Sequence, residues 1–336
     1  MQRILITGGS GFIGMNLIGA LKRAGIAAVN LATRPPRCAG RLDSFIKADV
    51  TRFHDVATAL SSFEPTTVIH LAARTAISRR EDCDYSVNVE GARILLQALA
   101  GSRSVERALF ASSMVVGWPG ERRDNNRAAD AYLTSKIEME KLVAAAPDMR
   151  CARCIVRPVS TWGPWFGSPF HGFFRSIESR RYRHLPGADT PKRLSYVGNA
   201  VFQLIQLAEA RPELIDRKTL YLGDYEPTTV RQWANAIGRA FGLPEPWAIP
   251  AGLARAAALA GDLAEALGVV RDAPLTSRRI ANMQIDTSVF PIDAIRSIAG
   301  PLPYTLEDGV RETVQWLRSP DHALTGAGWT GARVSA

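Results

Sequence analysis

Tyr132 and Lys136 stand four residues apart in Tyr132-Leu133-Thr134-Ser135-Lys136, inside a stretch from Tyr132 to Ala145 whose apolar spacing predicts a helix. That spacing puts both side chains on one helical face, one turn from each other. A phenol ordinarily titrates near ~10, and a nearby ammonium favours its ionised form, so the pair suits proton exchange with a hydroxyl or carbonyl oxygen. The same ammonium could reach a ribose. Taken alone, Tyr-x-x-x-Lys is equally an exposed helical pair. A second chemical signal is the run Thr7-Gly8-Gly9-Ser10-Gly11-Phe12-Ile13-Gly14, which follows the apolar Ile4-Leu5-Ile6. Glycines there allow a tight turn and close backbone approach to a pyrophosphate, and the amides at the start of the next helix favour negative charge. Two registers fit, Gly9-Gly11-Gly14 and Gly8-Gly11-Gly14.

These residues need a scaffold of strands ending in loops. Short apolar strands are predicted at Arg3–Thr7, Ala27–Ala32, Ser44–Lys47, Thr67–Leu71, Ala108–Ser112 and Cys154–Arg157, with helices between them, notably Asn88–Leu99. Such alternation implies right-handed crossovers and a parallel sheet covered on both faces, a doubly wound α/β fold. After about Pro158, Trp162-Gly163-Pro164-Trp165-Phe166-Gly167 and Pro186-Gly187 mark loops instead. We therefore expect a dinucleotide-binding domain over 1–160, a mainly substrate-binding α/β portion over 161–324 with some segments returning to the core, and a flexible tail over 325–336. Helices are also expected near Asn199–Ala210 and after Thr228 or Thr229, and a strand near Leu220–Leu222.

With 336 residues, 46% of them hydrophobic, the chain can bury a substantial core. The formal charge of +9 suits anionic small molecules as well as nucleic acid. Its basic groups are short, however, as in Arg79-Arg80, Arg122-Arg123 and Arg180-Arg181-Tyr182-Arg183, and no nucleic-acid motif accompanies them. No leader pattern precedes the first strand, which sets the expectation of a cytoplasmic protein. Ala248–Val270 is apolar but interrupted by Arg255, Asp262 and Glu265, predicting an amphipathic helix rather than a span, with membrane contact left open. Of four cysteines, Cys38, Cys83, Cys151 and Cys154, the last two form C-x-x-C on a predicted strand, where residues three apart face opposite sides. Reduced thiols and no metal site are expected.

Thr7 to Gly14, Asp49-Val50, His70-Leu71-Ala72-Ala73, Asn88-Val89-Glu90-Gly91, Ser112-Ser113, Tyr132-x-x-x-Lys136 and Arg157-Pro158, in that order, resemble the extended short-chain dehydrogenases/reductases. The likeness covers about the first 200 residues well and the remainder loosely, and lies nearest the nucleotide-sugar epimerase, dehydratase and ketoreductase branch. Trp162-Gly163-Pro164 is similar to that branch's Tyr-Gly-Pro. The resemblance implies a Rossmann fold and a catalytic set of Ser112, Tyr132 and Lys136, with Tyr132 the acid/base, Lys136 lowering its pKa and holding the nicotinamide ribose, and Ser112, or nearby Ser113, orienting the reacting oxygen. It favours the Gly8-Gly11-Gly14 register. The implied cofactor contacts are Gly8, Gly11, Phe12, Ile13, Gly14, Arg34, Asp49 at the adenine, Val50, Leu71, Ala72 and Ala73, together with Tyr132 and Lys136. Asn88 would brace the active-site backbone. A homodimer through the helices around Asn88–Leu99 and Tyr132–Ala145 is typical of the family.

Departures from the family pattern narrow the chemistry. Ser113-Met114 stands where related dehydratases carry Asp-Glu, so elimination of water lacks its acid and base, and ketone reduction or epimerisation is favoured. Val116 replaces a common Tyr, and Asn199 a common Asp. No acid follows the second strand, whereas Arg34 and Arg37 do, which favours NADP(H) while leaving NAD(H) open. Lys192 and Arg193 match the segment that places a basic residue on a substrate diphosphate. Ser113, His171 and Arg279 complete the implied substrate contacts, and Arg278-Arg279 would close on a phosphate. The expectation is therefore an NAD(P)-dependent oxidoreductase or epimerase of a nucleotide-diphosphate sugar. An apolar alcohol or ketone, walled by Trp162, Trp165, Phe166, Phe170, Phe173 and Phe174, is the second reading. A non-catalytic dinucleotide sensor on the same fold is the third.

Overall fold

The computed structural model describes residues 2–75, 84–118, 127–270, 273 and 275–319. Arg79-Arg80, Cys83, Arg122-Arg123 and the tail expected over 325–336 lie outside these residues. In chain order the first half runs β1 (Arg3–Thr7), α1 (Phe12–Arg23), β2 (Ala27–Ala32), β3 (Phe45–Lys47), α2 (Phe53–Phe63), β4 (Thr67–His70), α3 (Ser86–Ala100), β5 (Arg107–Ala111), α4 (Arg127–Ala145) and β6 (Ala152–Pro158). The second half adds β7 (Ser160–Trp162), α5 (Phe170–Glu178), β8 (Pro191–Lys192), β9 (Leu194–Tyr196), α6 (Val197–Glu209), α7 (Pro212–Ile215), β10 (Lys218–Leu222) and β11 (Thr228–Thr229). It ends with α8 (Val230–Phe241), α9 (Ala251–Ala266), α10 (Ser277–Met283), α11 (Asp293–Ala299) and α12 (Leu306–Arg318).

Seven strands form one parallel sheet in the order β10-β6-β5-β4-β1-β2-β3. Both faces are covered, and the sequence of β1 shows why: Ile4 and Ile6 turn to one core with α1 and α6, while Leu5 turns to the other with α2 and α3. A strand without a polar face can persist only between two helical layers. β10 arrives from the second half of the chain and pairs with β6 from Lys218↔Cys154 to Leu222↔Pro158. The strand order reverses between β1 and β4, where crossovers leave in opposite directions and open a crevice beyond the strand ends.

The aromatic run after Pro158 builds core. Trp162 and Phe174 are fully buried, and Trp162 packs on Trp233 with ring centroids 5.2 Å apart. Phe166 meets Trp316 at 5.8 Å. These side chains tie β7 and α5 to α8 and α12, so they do not wall a ligand pocket as the second sequence reading expected. Thr229 is the N-cap of α8, accepting from the Gln232 amide in a reciprocal capping box. Cys151 and Cys154 are buried free thiols, with burial pushing Cys154 up to about 12. No cluster of metal-ligating side chains occurs among the described residues.

Candidate active site

At the reversal of strand order, Thr7 and Leu5–Ile6 on β1 pair in register with His70 and Val68–Ile69 on β4. The Thr7 hydroxyl lies 2.8 Å from His70 Nδ1, and it accepts from the Ala72 amide at 3.3 Å. His70 is buried, and burial drives its pKa down to about 3, so the ring is neutral and serves to bind the two strand ends together. Gly8 follows with φ +72°, and a Cβ there would stand 2.6 Å from the Ala72 backbone. Gly14 backs directly onto Gly9, where an added Cβ would come within 2.5 Å of the Gly9 Cα. A Cβ on Gly11 would meet only Gly8 O, at 3.2 Å.

Gly11 is also the N-cap of α1 and offers no side-chain cap, leaving the first amides of that helix for a ligand or water. The turn therefore fits a dinucleotide pyrophosphate: it is closed on its protein side and open where the anion would lie. Phe12 and Ile13 begin the helix, and Asn16 ties it to the Trp162-Gly163-Pro164 loop through a 2.8 Å bond to Pro164 O. Asn30, buried in β2, donates to Ser10 Oγ at 3.0 Å, and Ser10 donates to Arg34 O at 2.7 Å, which fixes the start of the loop carrying Arg34 and Arg37. Arg37 titrates below its ordinary value, mainly through burial and secondarily through the neighbouring Arg34 charge. Asp49 Oδ1 accepts from the Thr51 amide and hydroxyl at 2.9 and 2.8 Å, which holds its carboxyl below the usual range. Val50 is buried against Gly91 of α3. Leu71, Ala72 and Ala73 are half-buried where the chain leaves β4.

Asn88 braces this edge. Its Oδ1 accepts from the Arg74 amide at 2.7 Å, and its Nδ2 donates to Arg74 O at 3.1 Å and to Ser135 Oγ at 3.0 Å, joining the exit of β4 to α4. On α4, Tyr132, Lys136 and Glu140 occupy successive turns of one face and meet the exit of β5. Ser113 stands close enough to the Tyr132 phenol to offset part of the effect of its burial, Lys136 Nζ donates to Ala111 O at 2.8 Å, and Glu140 Oε1 accepts from Ser112 Oγ at 2.5 Å. Ser113 is extended, with φ −158° and ψ 152°, so it and Ser112 point to opposite sides of the backbone. Ser112 thus commits its hydroxyl to Glu140, two helical turns beyond Tyr132. Of the two serines offered by the sequence, Ser112 is engaged by Glu140 and Ser113 is the one beside Tyr132.

The titration of Tyr132 departs from the sequence expectation. Burial raises its pKa, and nearby Ser113 opposes that only in part, so the phenol is protonated at neutral pH. Lys136 is buried as well, and burial brings it down to about 8 against the support of the Glu140 charge. Glu140 in turn grips Arg157 through two bonds of 2.8 and 2.6 Å, raising the Arg157 pKa, and Arg157 donates to Tyr221 OH at 2.8 Å. Tyr221 stacks on Phe290 at 5.0 Å, and Phe290 lies 6.5 Å from Trp118, immediately after Gly117. Glu140 and Tyr221 were not singled out from sequence. The signal for Glu140 was present, since it continues the four-residue spacing of Tyr132 and Lys136.

The residues expected to contact substrate are not gathered at one place. Lys192 is buried and its ammonium donates to Ile285 O and, at 3.3 Å, to Asn282 O. Arg193 is buried too, donating to Asp224 O at 3.3 Å, Ser288 O at 2.5 Å and Tyr225 O. Both charged ends are spent on main-chain carbonyls that fasten β8 and β9 to later loops, so the geometry does not present them to a diphosphate. Asn199, at the position of the family's usual Asp, donates to Asp224 at 2.8 Å, and burial raises Asp224 to about 6. His171 opens α5 with its ring edge against Phe166 and titrates low because of burial. Arg279 is exposed on α10, with Arg278 half-buried beside it in sequence.

Residues 4–198 match the model of the NAD dependent epimerase/dehydratase family. A 3-beta-hydroxysteroid dehydrogenase of Mycolicibacterium neoaurum is 28% identical over 73% of this chain and 72% of that protein. A UDP-glucose 4-epimerase of Vibrio cholerae is 27% identical over 94% of this chain and 95% of its own length. Among solved structures, Thermotoga maritima UDP-glucose 4-epimerase with UDP-glucose superposes with TM-score 0.68 at 19% identity, over 94% of this chain and 99% of that one, a likeness of fold.

Proposed function

Since the chain belongs to the NAD dependent epimerase/dehydratase family, we propose that it is an oxidoreductase interconverting a secondary alcohol and a ketone, with Tyr132 as the acid/base. The observation that carries this reading is buried Tyr132 with Lys136 one helical turn on, its ammonium fixed to Ala111 O at the exit of β5, Ser113 nearby and the glycine cradle of Gly8, Gly11 and Gly14 beyond β1. A nicotinamide dinucleotide held on that cradle supplies or accepts the hydride. Tyr132 then gives its proton to the carbonyl oxygen in reduction, or takes it from the alcohol in oxidation, while Ser113 hydrogen-bonds the same oxygen. The phenol is protonated at neutral pH and so stands as the acid in the reductive direction. Lys136, a cation below about pH 8, supports the phenolate left behind and reaches the cofactor ribose. Ser112 acts one step back, holding Glu140 in place.

For the dinucleotide, Arg34 and Arg37 beyond β2 favour a 2′-phosphate, because an anion between them relieves their mutual repulsion and β2 ends without an acid. For the substrate, the commitment of Lys192 and Arg193 to carbonyl oxygens favours an apolar alcohol or ketone. Half-buried Trp118, packed on Phe290, supplies an aromatic ring next to the turn that follows Ser113. Support for this substrate class also comes from the steroid dehydrogenase relative. A nucleotide-activated hexose is the second reading, favoured by likeness to a UDP-glucose 4-epimerase along almost the whole chain. Turnover assays with NADPH and NADH, against steroid and isoprenoid ketones and against UDP-hexoses, separate the two. Turnover confined to UDP-hexoses would overturn the apolar reading.

A further inference from the structure

Helix α9 wears its apolar residues on the outside. Its small residues Ala254, Ala258 and Gly261 face the protein, with Gly261 so close to the following segment that a Cβ would collide with Leu275 O. At about 100° per residue, Leu253, Leu259, Leu263 and Leu267 gather within about a third of the circumference on the opposite side. These four side chains, with Trp247 before the helix and Val269 after it, are each 59–74% exposed. A helix facing water alone would bury such residues and expose polar ones.

The acids of α9 and the arginines beside Trp247 lie apart. Asp262 accepts from the Ser277 amide at 3.2 Å and Glu265 from the Ala273 amide at 2.8 Å, so both acids of α9 are turned inward to hold the chain leading into α10. Outside, arginines outnumber the one acid near Trp247 in sequence, Glu245, which faces Arg239 at 3.5 Å. Arg183 lies 4.9 Å over the Trp247 ring, and exposed Arg180 and Arg181 precede it. The backbone keeps this cluster at the root of the helix: His184 N donates to Trp247 O at 3.1 Å and Ile249 N to His184 O at 2.9 Å. Arg255 is exposed on α9 itself.

We propose that α9, with Trp247 and Arg180, Arg181 and Arg183, is a docking surface for an anionic lipid bilayer, on which the helix lies flat. Its 16 residues reach about 24 Å, short of the ~30 Å hydrocarbon core, and no helix among the described residues is long and apolar enough to cross a membrane. A convex leucine ridge beside tryptophan and arginines matches the level where acyl chains meet headgroups. Charge favours this occupant over a second copy, since the chain carries +9 and a copy would bring the same arginines.

The test is sedimentation of the full chain with vesicles of phosphatidylcholine alone and of phosphatidylcholine with phosphatidylglycerol, alongside sedimentation equilibrium without lipid. Wild type is expected to partition at least tenfold more strongly onto the anionic vesicles. Leu263→Asp with Leu267→Asp is expected to reduce that binding at least tenfold while the thermal melt stays unchanged, and Arg180→Glu with Arg181→Glu to abolish the anionic preference. Absence of vesicle binding, equal binding to both compositions, or a lipid-free dimer that the leucine variant converts to monomer would overturn the proposal.

Discussion

Replacing Glu140 by glutamine keeps the shape of the side chain and removes the charge shared by Ser112, Arg157 and Lys136. Two effects follow, with separable sizes. The Arg157–Glu140 pair is only 18% and 12% exposed, and stripping the charge from one partner of a buried pair costs about 3–5 kcal/mol, at the lower end here because glutamine retains an acceptor. At about 2–4 °C per kcal/mol for a large domain, Tm should fall by roughly 6–12 °C. The second effect is on Lys136. Neighbours one helical turn apart are about 6 Å distant, and at an effective dielectric of about 20 the attraction is about 2.8 kcal/mol, or about two pH units. Arg157 cancels part of that field, leaving about one unit.

The sign is fixed by the direction of each term. Burial lowers Lys136 to about 8 and Glu140 raises it, so losing Glu140 lowers it further. The cationic form, and the turnover that needs it, then fails at lower pH. The assay is the pH profile of kcat/KM for hydride transfer beside a thermal melt: wild type should decline above about pH 8, and Glu140→Gln about one unit earlier. An unchanged alkaline limb in a folded variant would refute the electrostatic role, whatever happened to Tm. In stability, because Lys136 titrates lower folded than unfolded, the unfolded chain binds more protons between about pH 8 and the ordinary lysine value, and its contribution to stability should rise with pH there.

Ser113→Ala should lower kcat by about tenfold to a hundredfold with little change in Tm, at about 1.4–2.8 kcal/mol for a hydrogen bond to the reacting oxygen. Ser112→Ala should instead leave kcat within a few-fold and lower Tm, and the reverse pattern would return the role to Ser112. Gly8→Ala forces a side chain into a φ of +72° and against the Ala72 backbone. It should weaken dinucleotide binding by tenfold or more in titration calorimetry, through about 1–2 kcal/mol of backbone strain and the displaced turn. Arg34→Ala with Arg37→Ala should raise the KM for NADPH at least tenfold and leave that for NADH nearly unchanged, and equal losses for both would remove the 2′-phosphate assignment.

The parts of the molecule most legible in sequence were those with a local cause. Ile4-Leu5-Ile6 has no polar face, so a strand buried on both sides followed directly, and the spacing of Tyr132 and Lys136 placed them on one face of α4. That the glycine run makes a tight turn was legible, and the structure gives causes for it at Gly8, with its positive φ, and at Gly9, packed on Asn30. Partners chosen by tertiary packing were less visible. Which of Ser112 and Ser113 stands beside Tyr132 depends on the extended backbone after β5 and on Glu140 taking the Ser112 hydroxyl. Lys192 and Arg193 were expected as ligand contacts from their likeness to a diphosphate-binding segment, and only the arrival of the 282–288 segment shows their donors engaged. The rise of the Tyr132 pKa comes from burial that no spacing within one helix reveals.

The central claim is that this chain moves hydride at a carbon–oxygen centre with Tyr132 handling the proton. Its most direct measurement is nicotinamide absorbance under single-turnover conditions with a ketone substrate, for wild type and Tyr132→Phe side by side. The account predicts hydride transfer in wild type and a loss of about 10²–10⁴-fold in the variant, with dinucleotide affinity retained. A folded Tyr132→Phe protein turning over at the wild-type rate would contradict it.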